Sequence, residues 1–273
     1  MRGSCPCAGP AFVRYGGNTS CAVVEIDGEA PIILDLGSGL RPLGLELDAT
    51  GTPPRHLTGL LTHLHWDHLI GLPFFSTIQR PGATLDVFGP RQDECGLHEL
   101  IDKVVQPPFF PVRVKELHGS IQFHEVDDCD FAVGSAKITA RCIPHVGRTL
   151  GFRIDADGGS IVYISDHQPP DDRLGVADSV LELCDGADLL IHDGQYTEEE
   201  MVDKGTWGHS TPAYAVHVAA QSRVRTLVLY HHDPMHEDDD LDAMLAAARS
   251  HPEAARLEAV EAATEGLVLR AGR

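Results

Sequence analysis

Apolar and polar positions along this chain alternate mainly with the period of strands in its first part and with the period of helices later. Short apolar runs at Cys21–Ile26 and Ile32–Leu36 flank Asp27-Gly-Glu-Ala-Pro31, which reads as a hairpin. Gly16-Gly17-Asn18 before them is turn chemistry. In Asp35-Leu-Gly-Ser-Gly-Leu-Arg41 the glycines permit close backbone approach, and Ser38 is expected to cap a helix carrying Leu43, Leu45 and Leu47. A strand from His56 to Leu61 follows, then a short helix or turn to about Gln79 and a strand from Thr84 to Phe88. Residues 91–105 are expected to hold a helix with Leu97, Leu100 and Ile101 on one face. Pro107-Pro-Phe-Phe-Pro111 suits neither regular element, which leaves a plain surface loop or an aromatic rim over a cleft.

Five strand-like segments come next, at 121–126, 130–133, 136–143, 149–154 and 160–164. The third runs out at Ile143-Pro-His145 and the fifth at Ser165-Asp166-His167. Helices are expected at 176–184, 211–221 and 238–260, with strands at 187–191 and Thr226–Tyr230. The latter ends at His231-His232-Asp233-Pro234, and Gly266–Arg270 reads as a last strand. No repeat, low-complexity linker or clear boundary interrupts the pattern, so residues 1–273 read as a single domain. Strands first and alternating helices later predict an α/β sandwich rather than one parallel sheet.

Composition adds a few exclusions. The chain of 273 residues is 42% hydrophobic and 23% charged, ordinary for a soluble globular protein with an ample core. No apolar run reaches the roughly 18 residues that a membrane span needs. Met-Arg-Gly-Ser-Cys-Pro-Cys at the N-terminus has no apolar signal core, so a cytoplasmic location is expected. The net charge of −20 argues against a broad basic surface for nucleic acid. Seven scattered cysteines, an odd number, suggest reduced thiols rather than a disulfide framework. Cys5 and Cys7 have no second pair at matching spacing and are read as plain thiols.

The chemistry concentrates at Thr62-His-Leu-His-Trp-Asp-His68. If 63–65 is extended, His63 and His65 face the same side, while Asp67 and His68 reach a second point after a turn. That supplies one ligand pair for each of two metals. Imidazole and carboxylate suit zinc, with manganese or iron as alternatives. Further along, His145 is a candidate third ligand of the first metal, His231 a candidate third ligand of the second, and Asp166 a candidate bridge. Two ions ~3.5–4 Å apart that share a hydroxide form a two-metal hydrolase site. An acidic chain with such a positive focus favours a small anionic substrate over a long polyanion.

These motifs resemble the metallo-β-lactamase superfamily. Thr-His-Leu-His-Trp-Asp-His is similar to its His-x-His-x-Asp-His signature, and Ile-Pro-His145, Ile-Ser-Asp166 and Leu-Tyr-His231 are similar to its later motifs in the same order. Asp35 in Leu-Asp-Leu-Gly-Ser-Gly is similar to the first motif, an aspartate that supports the metal loop from behind. The resemblance implies a four-layer αββα sandwich with a dinuclear site at one edge of the sheets. Ala187-Asp-Leu-Leu-Ile-His-Asp-Gly followed by Gly208-His-Ser-Thr211 narrows it to the phosphodiesterase branch, which includes ribonuclease Z and phosphoribosyl cyclic phosphodiesterase. The resemblance then makes His209 the histidine beside the scissile phosphate. Asp193 stands where the ribonuclease branch has a glutamate, one methylene shorter. It also selects His231 over His232 as the ligand. Trp66 is expected to pack rather than react, and His167, His192 and His236 to brace the metal ligands.

The reading is a dinuclear metal-dependent phosphodiesterase with Asp67 and His209 as catalytic residues. Its substrate is expected to be a small phosphodiester, a cyclic nucleotide or cyclic sugar phosphate. No long Gly-rich basic arm for gripping RNA is present in the sequence, so nucleic acid is not the expected partner; a homodimer is an open possibility. The rivals are a ribonuclease Z-like nuclease, a lactone or thioester hydrolase on the same site, and a ligand-sensing protein without turnover.

Overall fold

The computed structural model describes residues 1–93, 95–172 and 174–272. The backbone divides into two compact units, Ser20–Asp127 and Met1–Thr19 with Asp128–Arg273. In the 20–127 unit, β1 (Ala22–Val24) and β2 (Ile32–Leu34) form the expected hairpin, antiparallel with Val23 opposite Ile33. Parallel strands β3 (His56–Leu60), β4 (Thr84–Pro90) and β5 (Ser120–Val126) extend the sheet in the order β1-β2-β3-β4-β5. Ile33, Leu57, Leu85 and Val87 alternate onto one face, where α1 (Leu40–Ala49), α2 (Leu97–Val104) and the turns around Leu72, Phe75 and Ile78 cover them. That apolar burial, at roughly 25 cal/mol per Å², holds the helices to the sheet.

The larger unit has a seven-stranded sheet. β6 (Cys129–Val133), β7 (Ala136–Ile143), β8 (Thr149–Ala156) and β9 (Gly159–Ile164) are antiparallel neighbours. β9, β10 (Leu189–Asp193), β11 (Thr226–Tyr230) and β12 (Ala259–Ala262) are parallel. Helices α3 (Asp178–Cys184), α5 (Pro212–Gln221) and α6 (Asp238–Ser250) bury Val180, Val216, Ala219 and Leu241 against Val162, Leu190, Leu227 and Val260. α5 starts where Thr211 caps it by accepting the Tyr214 N–H, with Pro212 at its first position. A short α4 (Met201–Lys204), not expected from the sequence, precedes it.

Five expectations are corrected. Ser38 does not cap α1; Gly39 is the cap residue, already helical in φ and ψ, and makes no side-chain cap bond. α2 begins at Leu97 rather than near 91; Gly96 before it is extended, and the Leu97 N–H is taken by the distant Glu125 carboxylate. α6 stops at Ser250 because His251 precedes Pro252, and a residue before proline disfavours the helical region. The last strand is therefore Ala259–Ala262, in register with Thr226–Leu229, and Gly266–Arg270 forms no strand. In the Pro107–Pro111 loop Phe109 is exposed, while Phe110 meets Phe74 edge-on at 5.8 Å and packs on the core. Trp66 does not pack inside; 58% of it is exposed.

One close approach positions the histidine loop. Leu36 donates its N–H to His68 O, and Gly71 donates to Leu36 O, both at 2.9 Å. A Cβ on Gly71 would strike the Gly37 carbonyl oxygen. Gly71→Ala is expected to cost about 3 kcal/mol, as overpacking of a fixed backbone does. An unchanged urea midpoint for that variant would contradict this account of the loop.

Candidate metal centre

In the 20–127 unit the chain leaves β3, passes His65 in an extended conformation (φ −65°, ψ 151°) and turns through a single 3-10 turn, Trp66–His68. The turn gathers the motif. The His63 ring lies 4.4 Å from that of His65 and 4.2 Å from that of His68. His68 Nε2 is 3.2 Å from Asp67 Oδ2. His63, Asp67 and His68 are buried and His65 is exposed.

Asp35 stands behind this cluster, fully buried and in the left-handed region at φ 61°. Its Oδ1 accepts the Thr62 N–H at 2.8 Å, the Thr62 hydroxyl reaches both oxygens at 3.0 Å, and Oδ2 lies 2.7 Å from His68 Nδ1. A carboxylate can only accept, so His68 Nδ1 carries the proton and Nε2 carries the lone pair. The Thr62 hydroxyl, having given its proton to Asp35, accepts from His63 Nδ1 at 3.0 Å, which leaves His63 the same tautomer. The strained backbone at Asp35 is the geometry that lets one side chain meet both Thr62 and His68.

The larger unit presents a second set at one sheet edge. The ladder pairs His192 with Ile164 and Asp193 with Tyr230, so Asp166, Asp193 and His231 leave neighbouring strands at the same end. Asp166 Oδ2 is 3.4 Å from His231 Nε2 and 3.8 Å from His145 Nε2. His231 is another non-glycine residue at positive φ, 59°. Its Nδ1 lies 2.7 Å from the Gln195 amide oxygen, and His145 Nδ1 lies 2.6 Å from the Gly208 carbonyl. Both partners are acceptors, so both histidines turn an Nε2 lone pair toward Asp166. His232 goes the other way: its Nε2 donates to Ala263 O at 3.1 Å, and burial holds its pKa well below the usual histidine value. Of the two adjacent histidines, His231 is thus the one that faces Asp166.

His209 differs from the other histidines. Its Nδ1 is 2.9 Å from Asp193 Oδ2 and 3.7 Å from Asp166 Oδ2, and its ring stacks on His231 at 4.9 Å. Asp166, His209 and His231 bring ligand atoms within 4.8 Å of one another, a grouping that could also hold an ion. The nitrogen His209 turns to Asp166, however, is the one already donating to Asp193, so its lone pair sits on Nε2. Asp193 is fixed in turn by the backbone N–H groups of His167 and Gln195. The Asp193 side chain, one methylene shorter than a glutamate, reaches the His209 ring.

The donor set fits divalent ions. Four histidines offer Nε2 while Nδ1 is held by an oxygen, the arrangement that orients metal-bound imidazoles, and Asp67 and Asp166 add carboxylates. Sequence reasoning passed over Gln195, the Gly208 carbonyl, Thr62 and Tyr196. Gln195 was signalled by its place just beyond a strand end; a backbone carbonyl has no sequence signature. Tyr196 is buried beside His209 with rings edge-on at 5.6 Å, and burial, then Asp233 and Asp193, push its phenol upward. His167 and His192 form a further buried pair, Nδ1 to Nε2 at 2.9 Å, with His192 Nδ1 donating to Asp193 O.

The profile of the beta-lactamase superfamily domain matches residues 46–232. A ribonuclease Z of Natronomonas pharaonis is 26% identical over 263 residues, covering 78% of this chain and 81% of its own. Among solved structures, the metallo-beta-lactamase fold protein YhfI from Bacillus subtilis superposes with TM-score 0.67 at 21% identity, covering 97% of this chain and 95% of its own. A diphosphatase from the PhnP family gives 0.66 at 19% identity, covering 97% and 89%. The fold of this chain is the metallo-β-lactamase fold.

Asp35→Asn places an amide where His68 needs an acceptor and is expected to lower metal affinity about 10–100-fold. Competition with a chelating dye would measure it, and wild-type affinity would contradict the role given to Asp35. Burial, foremost, lowers the pKa of His167 and His192. The folded protein keeps them neutral while the unfolded chain takes up protons below its ordinary histidine value of about 6.5. Stability is therefore full above that pH and falls as acid is added, by up to about 1.4 kcal/mol per pH unit for each such histidine. Urea unfolding in a chelator at pH 7, 6 and 5 tests this; equal stability across the series would contradict it.

Proposed function

The chain belongs to the beta-lactamase superfamily, and on that premise we propose that it is a dinuclear metallophosphodiesterase acting on a small phosphodiester such as a cyclic nucleotide or cyclic sugar phosphate. That it is a metal-dependent hydrolase of this fold follows from the family; the substrate and the ion count are our reading. In it, His63, His65 and His145 would hold one ion and Asp67, His68 and His231 the other, with Asp166 the expected shared ligand. Zinc suits these donors best, with manganese or iron as alternatives. When bound, such ions lower the pKa of a water and withdraw negative charge from the transition state.

The observation that carries the phosphodiester reading is the buried His209–Asp193 pair beside Asp166. Asp193 fixes the ring and stabilises its charged form, as the aspartate of a catalytic triad does. The imidazolium then presents Nε2–H to a developing negative oxygen, either to stabilise the phosphorane or to protonate the departing alkoxide. Asp67, the second catalytic residue of this reading, would orient the attacking water. Hydrolysis of an acyl ester does not call for this charged histidine, so the pair weighs against a lactone or thioester substrate. Similarity to a ribonuclease Z over most of its length supports RNA cleavage as a second reading. The net charge of −20 opposes a long polyanion and supports the smaller substrate.

His209→Ala is expected to keep its metal and lose about 10²–10⁴-fold in turnover of bis(p-nitrophenyl) phosphate, the usual worth of a positioned proton donor. Elemental analysis beside the assay decides: loss of metal would make His209 a ligand and end this assignment. His65→Ala is expected to lose metal along with activity, and full turnover in that variant would contradict the ligand set. A panel of cyclic nucleotides, an acyl ester and precursor transfer RNA separates the three substrate classes.

A further inference from the structure

The segment that carries His209 also carries an exposed tryptophan to which the reaction described above gives no role. Trp207 is one of two tryptophans in the chain, and 59% of its surface is open. Its backbone is nevertheless fixed. The Trp207 N–H donates to Lys204 O at 2.9 Å, just after α4. Gly208 follows at φ 94°, where any side chain would strike His145. The indole meets the Tyr196 ring edge-on at 6.5 Å, and Tyr196 in turn meets His209 edge-on at 5.6 Å. Trp207 and His209 thus flank one buried ring, which sets their spacing.

Lys204 completes the support. Its ammonium lies 4.4 Å from the centre of the Tyr196 ring and 6.0 Å from that of Trp207. Glu200 at 3.1 Å and Asp233 at 3.4 Å balance its charge, so Lys204 serves as a brace for the aromatic pair and not as a phosphate clamp. The result is a large flat apolar face, held in place before any ligand arrives, one residue removed from the histidine that serves the phosphate. A rigid aromatic contact of this kind gives up little conformational entropy on binding, and every nucleobase offers a π-face to it.

We propose that Trp207 is a specificity-determining platform on which the base of a nucleotide phosphodiester stacks while its phosphate lies at His209. This rests on the phosphodiesterase reading and narrows its substrate to molecules with a planar ring beside the scissile phosphate. A cyclic sugar phosphate without a base gains nothing from the platform.

Two arms test it. In the kinetic arm, Trp207→Ala is expected to raise KM for 2′,3′-cyclic AMP about 10-fold, leave kcat within a small factor, and leave KM for glycerol cyclic phosphate unchanged. Trp207→Phe is expected to restore most of the loss. An equal change for both substrates, or no change for either, overturns the proposal. If the wild-type enzyme turns over neither compound, the phosphodiesterase reading falls and the binding arm alone decides the platform. There, Trp66→Phe leaves Trp207 as the single tryptophan. AMP is expected to quench its emission saturably, and ribose 5-phosphate, with the same phosphate but no base, to leave it unchanged. No quenching by AMP, or equal quenching by both, refutes the platform.

Discussion

A neutral imidazole has one lone pair, and whatever holds its other nitrogen decides where that lone pair points. The candidate site depends on this constraint. His68 is held by Asp35, His145 by the Gly208 carbonyl, His231 by Gln195 and His209 by Asp193, in every case through Nδ1. The four clamps share no sequence motif, and only Asp193 and Gln195 come from the same place, the end of β10. Their common product is Nε2 offered outward from a fixed ring, at His68, His145 and His231 as the proposed metal ligands and at His209 as the proposed phosphate partner.

The fold supplies Asp35, Asp193 and Gln195 at strand ends, where a rigid backbone gives way to one free to choose its φ, and the Gly208 carbonyl from the loop between α4 and α5. Asp35 and His231 both take the left-handed region that non-glycine residues avoid, and both sit immediately beyond a strand. Such strain persists only where surrounding bonds determine the conformation. Around Asp35 those bonds are the Thr62 pair and the backbone contact between Leu36 and His68; around His231 they are Gln195 and the segment at Gly3, where a side chain would collide with the ring. A buried polar network of this kind stabilises when its members are satisfied and destabilises when one is removed. The acidic partners therefore serve stability and chemistry with the same hydrogen bonds.

The strands and the ligand candidates were legible in the sequence because both rest on short-range patterns. The five strand-like segments after residue 120 recur within a residue or two, and the cluster from His63 to His68 could be seen without a fold. The end of α6 could have been read from His251-Pro252, a steric rule, yet the acidic and alanine-rich run before it masked the stop. What the sequence could not display was pairing at a distance. Asp35 with His68, Gln195 with His231 and Gly208 with His145 are separated by 33, 36 and 63 residues. Nor does a pattern of apolar positions reveal that Trp207 stays exposed while Tyr196 beside it is buried.

The account stands or falls on the tautomers. Long-range nitrogen-15 NMR of the metal-free protein at neutral pH reads, ring by ring, which imidazole nitrogen bears the proton. The clamps predict the Nδ1–H form at His68, His145 and His231, and a proton on Nδ1 of His209 in both its neutral and its charged state. The Nε2–H form at these positions would mean that the lone pairs face the clamping oxygens, and the site as described here could hold neither ion nor substrate in the way proposed.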